Sequence, residues 1–197
     1  MIGRICVLPL LLCISLLSSG CGVFIVGGAA TAASVAHDRR TAGTVLEDQA
    51  IELKTYQALR NTPERLANAH INVTSYDRVV LLTGEVPSEA VSHWAEGVAR
   101  DIDNVIMVHN ELAERPPSSL GSRSNDAWLT ARAKSALLQV KIPSFDPTRV
   151  KVVTQRGIVY LMGIVTEAEG EAAADSIRRV NGVQRVVKLF RYIESSG

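Results

Sequence analysis

Residues Ile71–Val86 read INVTSYDRVVLLTGEV, and residues Val150–Val165 read VKVVTQRGIVYLMGIV. At a shift of 79 places, Ile71 falls on Val150, Val73 on Val152, Leu82 on Leu161, Gly84 on Gly163 and Val86 on Val165. Each copy alternates about a two-residue polar turn, Asp77-Arg78 in the first and Arg156-Gly157 in the second. That is the pattern of a β-hairpin. A repeat of this length decides the architecture before any single element does.

The same order surrounds each hairpin. LEDQAIELKTYQALR, from Leu46, places Ile51, Ala58 and Leu59 at helical spacing. NDAWLTARAKSALLQ, from Asn125, does so with Leu129, Ala133, Ala136 and Leu137. A second helix follows each hairpin, over Ser88–Arg100 and Glu167–Arg179. Val91, Ala95, Val98 and Ile102 form the apolar stripe of one; Ala174, Ile177 and Val180 form that of the other. Glu167, Glu169 and Glu171 read as surface carboxylates favoured by the helix dipole. A last strand ends each copy, VIMVHNELA and VQRVVKLFRYI, preceded by Asn104 and Gly182, where a left-handed residue is wanted. Gly84 and Gly163 are expected to be equivalent structural glycines that close their hairpins.

The expected fold class is α+β. It comprises two domains, 45–113 and 125–194, each α-β-β-α-β with two helices on one face of a three-stranded mixed sheet. The bridge ERPPSSLGSRS, 114–124, reads as a linker.

The N-terminus is a targeting segment. Met1–Arg4 carries a positive charge, Ile5–Leu17 is apolar, and Ser18-Ser19-Gly20 supplies small residues before Cys21. LLSSGC resembles a bacterial lipoprotein signal, although Ser18 stands where leucine is usual. The resemblance implies removal of 1–20 and lipidation of Cys21. With Gly22 rather than Asp in the second mature position, it implies the outer membrane, facing the periplasm. The mature chain would hold one cysteine and no internal disulfide. The alternative is an uncleaved span, since Ile5–Ala36 contains no charge; Gly20, Gly22, Gly27 and Gly28 interrupt it. Residues 21–44 then form a small-residue tether between anchor and first domain.

The hairpins, their terminal glycines, the following helices and the closing NGVQRVV resemble the BON domain. Two copies behind a lipoprotein signal resemble the periplasmic dual-BON lipoproteins. That resemblance implies a non-enzymatic protein supporting outer-membrane integrity. It also implies anionic phospholipid binding through the second domain, and recruitment to division sites.

The residues show no catalytic constellation. His37, His70, His93 and His109 form no pair at metal-ligand spacing. There is no nucleophile elbow, and no mature cysteine lies beside a histidine. No metal or cofactor is implied. Strand aromatics are too few for base stacking, so nucleic acid is not an expected partner.

Charge separates the copies. Residues 45–113 hold five basic and eleven acidic side chains, a net −6; residues 121–194 hold twelve and seven, a net +5. A basic domain is drawn to an anionic surface. On the helix from Asn125, the core stripe uses Leu129, Ala133, Ala136 and Leu137. Trp128, Ala131, Ser135 and Leu138 form a second stripe, flanked by Arg132 and Lys134. In the first copy these places are Ala50, Leu53, Gln57 and Arg60, and the stripe turns polar. Trp128, Ala131, Arg132, Lys134, Ser135 and Leu138 are therefore the candidate phospholipid-binding residues. The competing use of Trp128 is a contact between the domains. A monomer is expected; an outer-membrane assembly protein could use the same face.

Overall fold

The computed structural model describes residues 38–143 and 145–194. The signal, Cys21 and the tether as far as His37 lie outside the described residues. The elements run α1 (Ala42–Arg60), β1 (His70–Tyr76), β2 (Val79–Val86), α2 (Glu89–Arg100), β3 (Met107–Glu114), α3 (Leu120–Leu137), β4 (Val150–Gln155), β5 (Ile158–Val165), α4 (Glu167–Arg178) and β6 (Arg185–Tyr192). In each domain the middle strand pairs antiparallel with the strand before it and parallel with the last. This is the α+β arrangement that the repeat predicts.

Both hairpins turn through left-handed residues: Asp77 and Arg78 have φ of 54° and 64°, Arg156 and Gly157 of 50° and 75°. Two successive left-handed residues match the twist of a two-residue hairpin. Three of the four are not glycine, so something must offset the strain. A buried carboxylate on the preceding helix does so in each domain. Asp48 accepts from the backbone N–H groups of Asp77 (2.8 Å) and Arg78 (2.7 Å). Asp126 accepts from those of Arg156 (2.7 Å) and Gly157 (2.9 Å).

Helix α3 begins at Leu120, inside the stretch expected to be linker. The Ser119 hydroxyl caps it by accepting from the Ser122 N–H. The true connection is only Arg115–Ser119, and the buried Ser118 hydroxyl donates to Glu85 (3.3 Å). Gly84 and Gly163 also depart from expectation. They sit within β2 and β5, opposite Ile71 and Val150, and close no turn. Gly84 has φ +125° and lies against the His70 carbonyl; Gly163 is held close to the Arg149 carbonyl without a positive φ. The two glycines are equivalent in register but answer different constraints.

Each sheet buries one face under its own helices. Ile51, Leu59, Val73, Val80, Leu82, Ala95 and Ala99 make the first core. Leu137, Val152, Val159, Leu161, Ala174 and Ile177 are central to the second. The opposite faces pack against each other, joining Tyr76 and Leu81 to Tyr160, Met162 and Ile164. This makes β2 and β5 buried on both faces. Burial pushes both phenols up to about 12, with Asp38 adding to the effect at Tyr76 and Glu111 at Tyr160.

The rim of this contact uses the charge difference between the domains. Glu85, fully buried, lies 3.2 Å from Arg156 Nε and accepts from Gln155 Nε2 (2.9 Å). Glu52 pairs with Lys151 (3.0 Å), Glu111 with Arg185 (3.7 Å) and Asp77 with Arg191 (2.6 Å). Part of the −6 and +5 is thus matched internally, and does not face an outside surface. Partly exposed pairs contribute at most about 1 kcal/mol each, whereas each fully buried large apolar side chain contributes roughly 1.5–3 kcal/mol. The apolar cluster holds the sheets together, and the pairs fix their register.

The first described residues strap both domains. Arg39 donates to both Glu169 oxygens (2.6 and 3.0 Å) and to the Ile164 carbonyl (2.9 Å). Arg40 pairs with Asp38 and Asp48 (2.7 Å each) and lies 3.8 Å above the Tyr76 ring. Glu169 is therefore no surface carboxylate: it is buried, and its side chain also closes a capping box with Thr166. Burial alone would raise the Glu169 carboxyl, but Arg39, the Thr166 N–H and Arg149 outweigh it and hold it below its ordinary value of 4.5. A carboxyl lowered in this way stabilises the fold at pH above its ordinary value, and that stability is lost as pH falls through the lowered value. Arg39→Ala is expected to cost about 1–3 kcal/mol at neutral pH and clearly less once Glu169 is protonated, when only the hydrogen bond to the Ile164 carbonyl remains. Urea unfolding of both proteins at neutral and strongly acidic pH checks this; a difference independent of pH would contradict it.

Candidate membrane-binding face of the second domain

Helix α3 carries two faces because its apolar residues fall on two sides of the helix and the sheet covers only one. Leu129, Ala133 and Leu137 are buried on the sheet, together with Asp126. Trp128 is 51% exposed and Leu138 74% exposed, with Ala131 and Ser135 exposed between them. The domains meet through their sheets, so Trp128 does not serve their contact. Leu120 is 80% exposed. It lies eighteen residues before Leu138, five turns at about 3.6 residues each, and so shares its side of the helix. The sequence reading missed Leu120 because it began the helix at Asn125. Only the serine cap at Ser119 signalled the earlier start.

The cations flanking this stripe are uncommitted. Arg123, Arg132, Lys134, Lys141 and Arg179 have no ion-pair partner among the described residues, whereas Lys151, Arg156, Arg185 and Arg191 pair across the domain contact. The Arg132 guanidinium stands 4.6 Å from the Trp128 ring centroid. That contact holds the indole against the helix without neutralising the charge. All six sequence candidates, Trp128, Ala131, Arg132, Lys134, Ser135 and Leu138, therefore lie on one exposed helical surface.

A groove of about 530 Å³ opens beside the end of this stripe. Leu137, Leu138, Pro147 and Val150 give it apolar walls, and Arg40, Lys134 and Lys151 give it charge. Arg40, two residues after the first described residue, also lines it. A larger concavity of about 1050 Å³ lies at Arg39, Arg149 and Glu169, but these charges satisfy one another. Among the described residues, no three His, Cys, Asp or Glu side chains gather as a metal site would require. No helix of the described residues is long and apolar enough to cross a membrane.

The outer face of the first domain differs in character. Leu46 and Leu53 are exposed on α1, but Gln57 and Arg60 follow them, and no indole is present. Trp94 packs against the first core, with Arg65 5.5 Å above its ring.

The BON domain pattern matches this chain twice, over residues 47–116 and 125–194. The outer membrane lipoprotein DolP of Haemophilus influenzae is 37% identical over 188 residues, covering 95% of this chain and 96% of that protein. The 21 kDa hemolysin of Actinobacillus pleuropneumoniae is 34% identical over 157 residues, covering 80% of each. The osmotically-inducible protein Y of Escherichia coli K12 is 32% identical over 148 residues, covering 73% of this chain and 72% of that protein. With both repeats matched and the likeness running nearly end to end, the chain belongs to the BON-domain family and, within it, to the DolP family of outer membrane lipoproteins.

Proposed function

We propose that this protein is a non-enzymatic outer-membrane lipoprotein, anchored through Cys21, that grips anionic phospholipid from the periplasmic side with helix α3. The observation that carries the reading is the exposed stripe of Leu120, Trp128 and Leu138, bordered by cations that have no ion-pair partner among the described residues. Tryptophan favours the bilayer interface, and each basic residue near an anionic surface contributes about 1 kcal/mol. The likeness to DolP supports the outer membrane as its location. Support of envelope integrity, and action at division sites, are further parts of this proposal, suggested by the family resemblance.

The test uses the mature chain bearing Cys21→Ser, which removes the anchor. It should co-sediment with phosphatidylglycerol-containing vesicles, only weakly with pure phosphatidylcholine, and less as salt rises. Trp128→Glu should weaken binding at least about tenfold, since an anchor is lost and a like charge is placed at the surface. Its unfolding midpoint should stay within about 0.5 kcal/mol of the parent, as for other exposed positions. Undiminished sedimentation of a folded Trp128→Glu protein would overturn the reading and leave the face to a protein partner.

A further inference from the structure

The flank of the stripe that faces α4 is concave. A cleft of about 380 Å³ opens there, lined by Arg132, Ser135, Ala136 and Gln139 of α3 and its C-terminal turn, and by Ser176 and Arg179 of α4 and its cap. No carboxylate lines it. Its two guanidiniums come from different helices, and neither has an ion-pair partner among the described residues. The serine hydroxyls are already engaged as donors: Ser176 donates to the Ala136 carbonyl (2.8 Å), tying the helices together, and Ser135 donates to the Ala131 carbonyl (3.0 Å). The donors that remain are the two guanidiniums and the Gln139 amide. Two forked, permanently charged donors over a small-residue floor match the oxygens of a phosphate.

We infer that this cleft is the seat of a lipid phosphate, held by Arg132 and Arg179 while Trp128 and Leu138 enter the bilayer beside it. The inference rests on the membrane reading of α3 and names the headgroup chemistry that the face selects. Arg179 lies 51 residues from Trp128 in sequence, and only the packing of α4 against α3 brings it to the stripe. The opposite flank, with Arg123 and Lys134, contributes charge but belongs to no comparable cleft between these helices.

The experiment compares Arg179→Gln with Arg123→Gln in the Cys21→Ser chain on phosphatidylglycerol vesicles. Losing a cation that merely sits near the surface should weaken binding by about fivefold at most. Losing a charged hydrogen-bond donor to phosphate should weaken it by about tenfold or more. A larger loss for Arg179→Gln supports the seat; equal losses overturn it, and do so without touching the membrane reading, which stands or falls on Trp128→Glu. Titration with inorganic phosphate against chloride at equal ionic strength, read by NMR at the Arg179 and Gln139 side chains, separates the sources. A saturable shift shows that the cleft takes phosphate whether free or lipid-borne. No shift, with the larger vesicle loss retained, assigns it to the lipid headgroup alone. A shift without the larger vesicle loss overturns the lipid assignment.

Discussion

Gly84→Val is expected to cost at least about 4 kcal/mol, a large part of the about 5–15 kcal/mol that holds a typical domain folded. A Cβ at this position would stand 1.9 Å from the His70 carbonyl oxygen, which belongs to the paired backbone of β1 and cannot swing aside. The φ of +125° would strain any side chain even with space around it. Gly163→Ala is the informative comparison. Its Cβ would meet the Arg149 carbonyl oxygen at 2.5 Å, a less severe approach and without the adverse φ. Its cost should be about 1–3 kcal/mol. Urea unfolding followed by circular dichroism ranks the two. Equal midpoints would mean that the close approach at Gly84 has been misjudged.

Asp48→Ala is expected to be nearly as damaging, at about 3–5 kcal/mol. The carboxylate is 3% exposed and accepts from the Asp77 and Arg78 N–H groups, the Ser75 hydroxyl (2.7 Å) and the Arg40 guanidinium (2.7 Å). Its removal strands several donors, each costing about 1–3 kcal/mol when left unsatisfied, and frees two left-handed residues to relax. Asp126→Ala, the same change in the second domain, strands two backbone donors and should cost less, about 2–3 kcal/mol. Asp48→Asn should recover only part of the loss, because an amide offers one acceptor oxygen where the carboxylate uses two. A thermal midpoint for Asp48→Ala equal to that of the parent would contradict this role.

The two hairpins were legible because period-two alternation on both sides of a polar pair has one common reading. The element order α-β-β-α-β followed from the repeat, and the left-handed Asn104 and Gly182 followed from their places before the last strands. Three things were not legible. The first turn of α3 is LGSRS, whose composition resembles a linker, and only the cap at Ser119 reveals it. The contact between the sheets was masked by summing charge over domains, when it is arranged by face. VVLLTGEV and IVYLMGIV are nearly continuous apolar runs, which is how strands buried on both faces read, and that was the available signal. Glu85 within the first run, and Asp-Arg-Arg at 38–40, gain meaning only from partners far away in sequence.

The exposed stripe of α3 was legible for the opposite reason. All its members share one helix, so spacing alone places them, and its separation from the core stripe survives an error of five residues in the helix start. The cleft with Arg179 was not, because it needs two helices to be packed. Likewise, the +5 charge of the second domain overstated what faces outward. The five cations around α3 and the cap of α4 are the part without ion-pair partners among the described residues.

The most direct test of membrane engagement by α3 is the depth of Trp128 itself. In a Trp94→Phe background of the Cys21→Ser chain, Trp128 is the sole indole, and phosphatidylglycerol vesicles carrying bromine at defined positions along the acyl chains report where it sits. Quenching should be strongest for bromines nearest the headgroups and fall away toward the bilayer centre, with emission shifted to the blue. A protein that sediments with the vesicles while Trp128 emission neither shifts nor quenches with any of these lipids would place this helix away from the bilayer and contradict its assignment as the binding face.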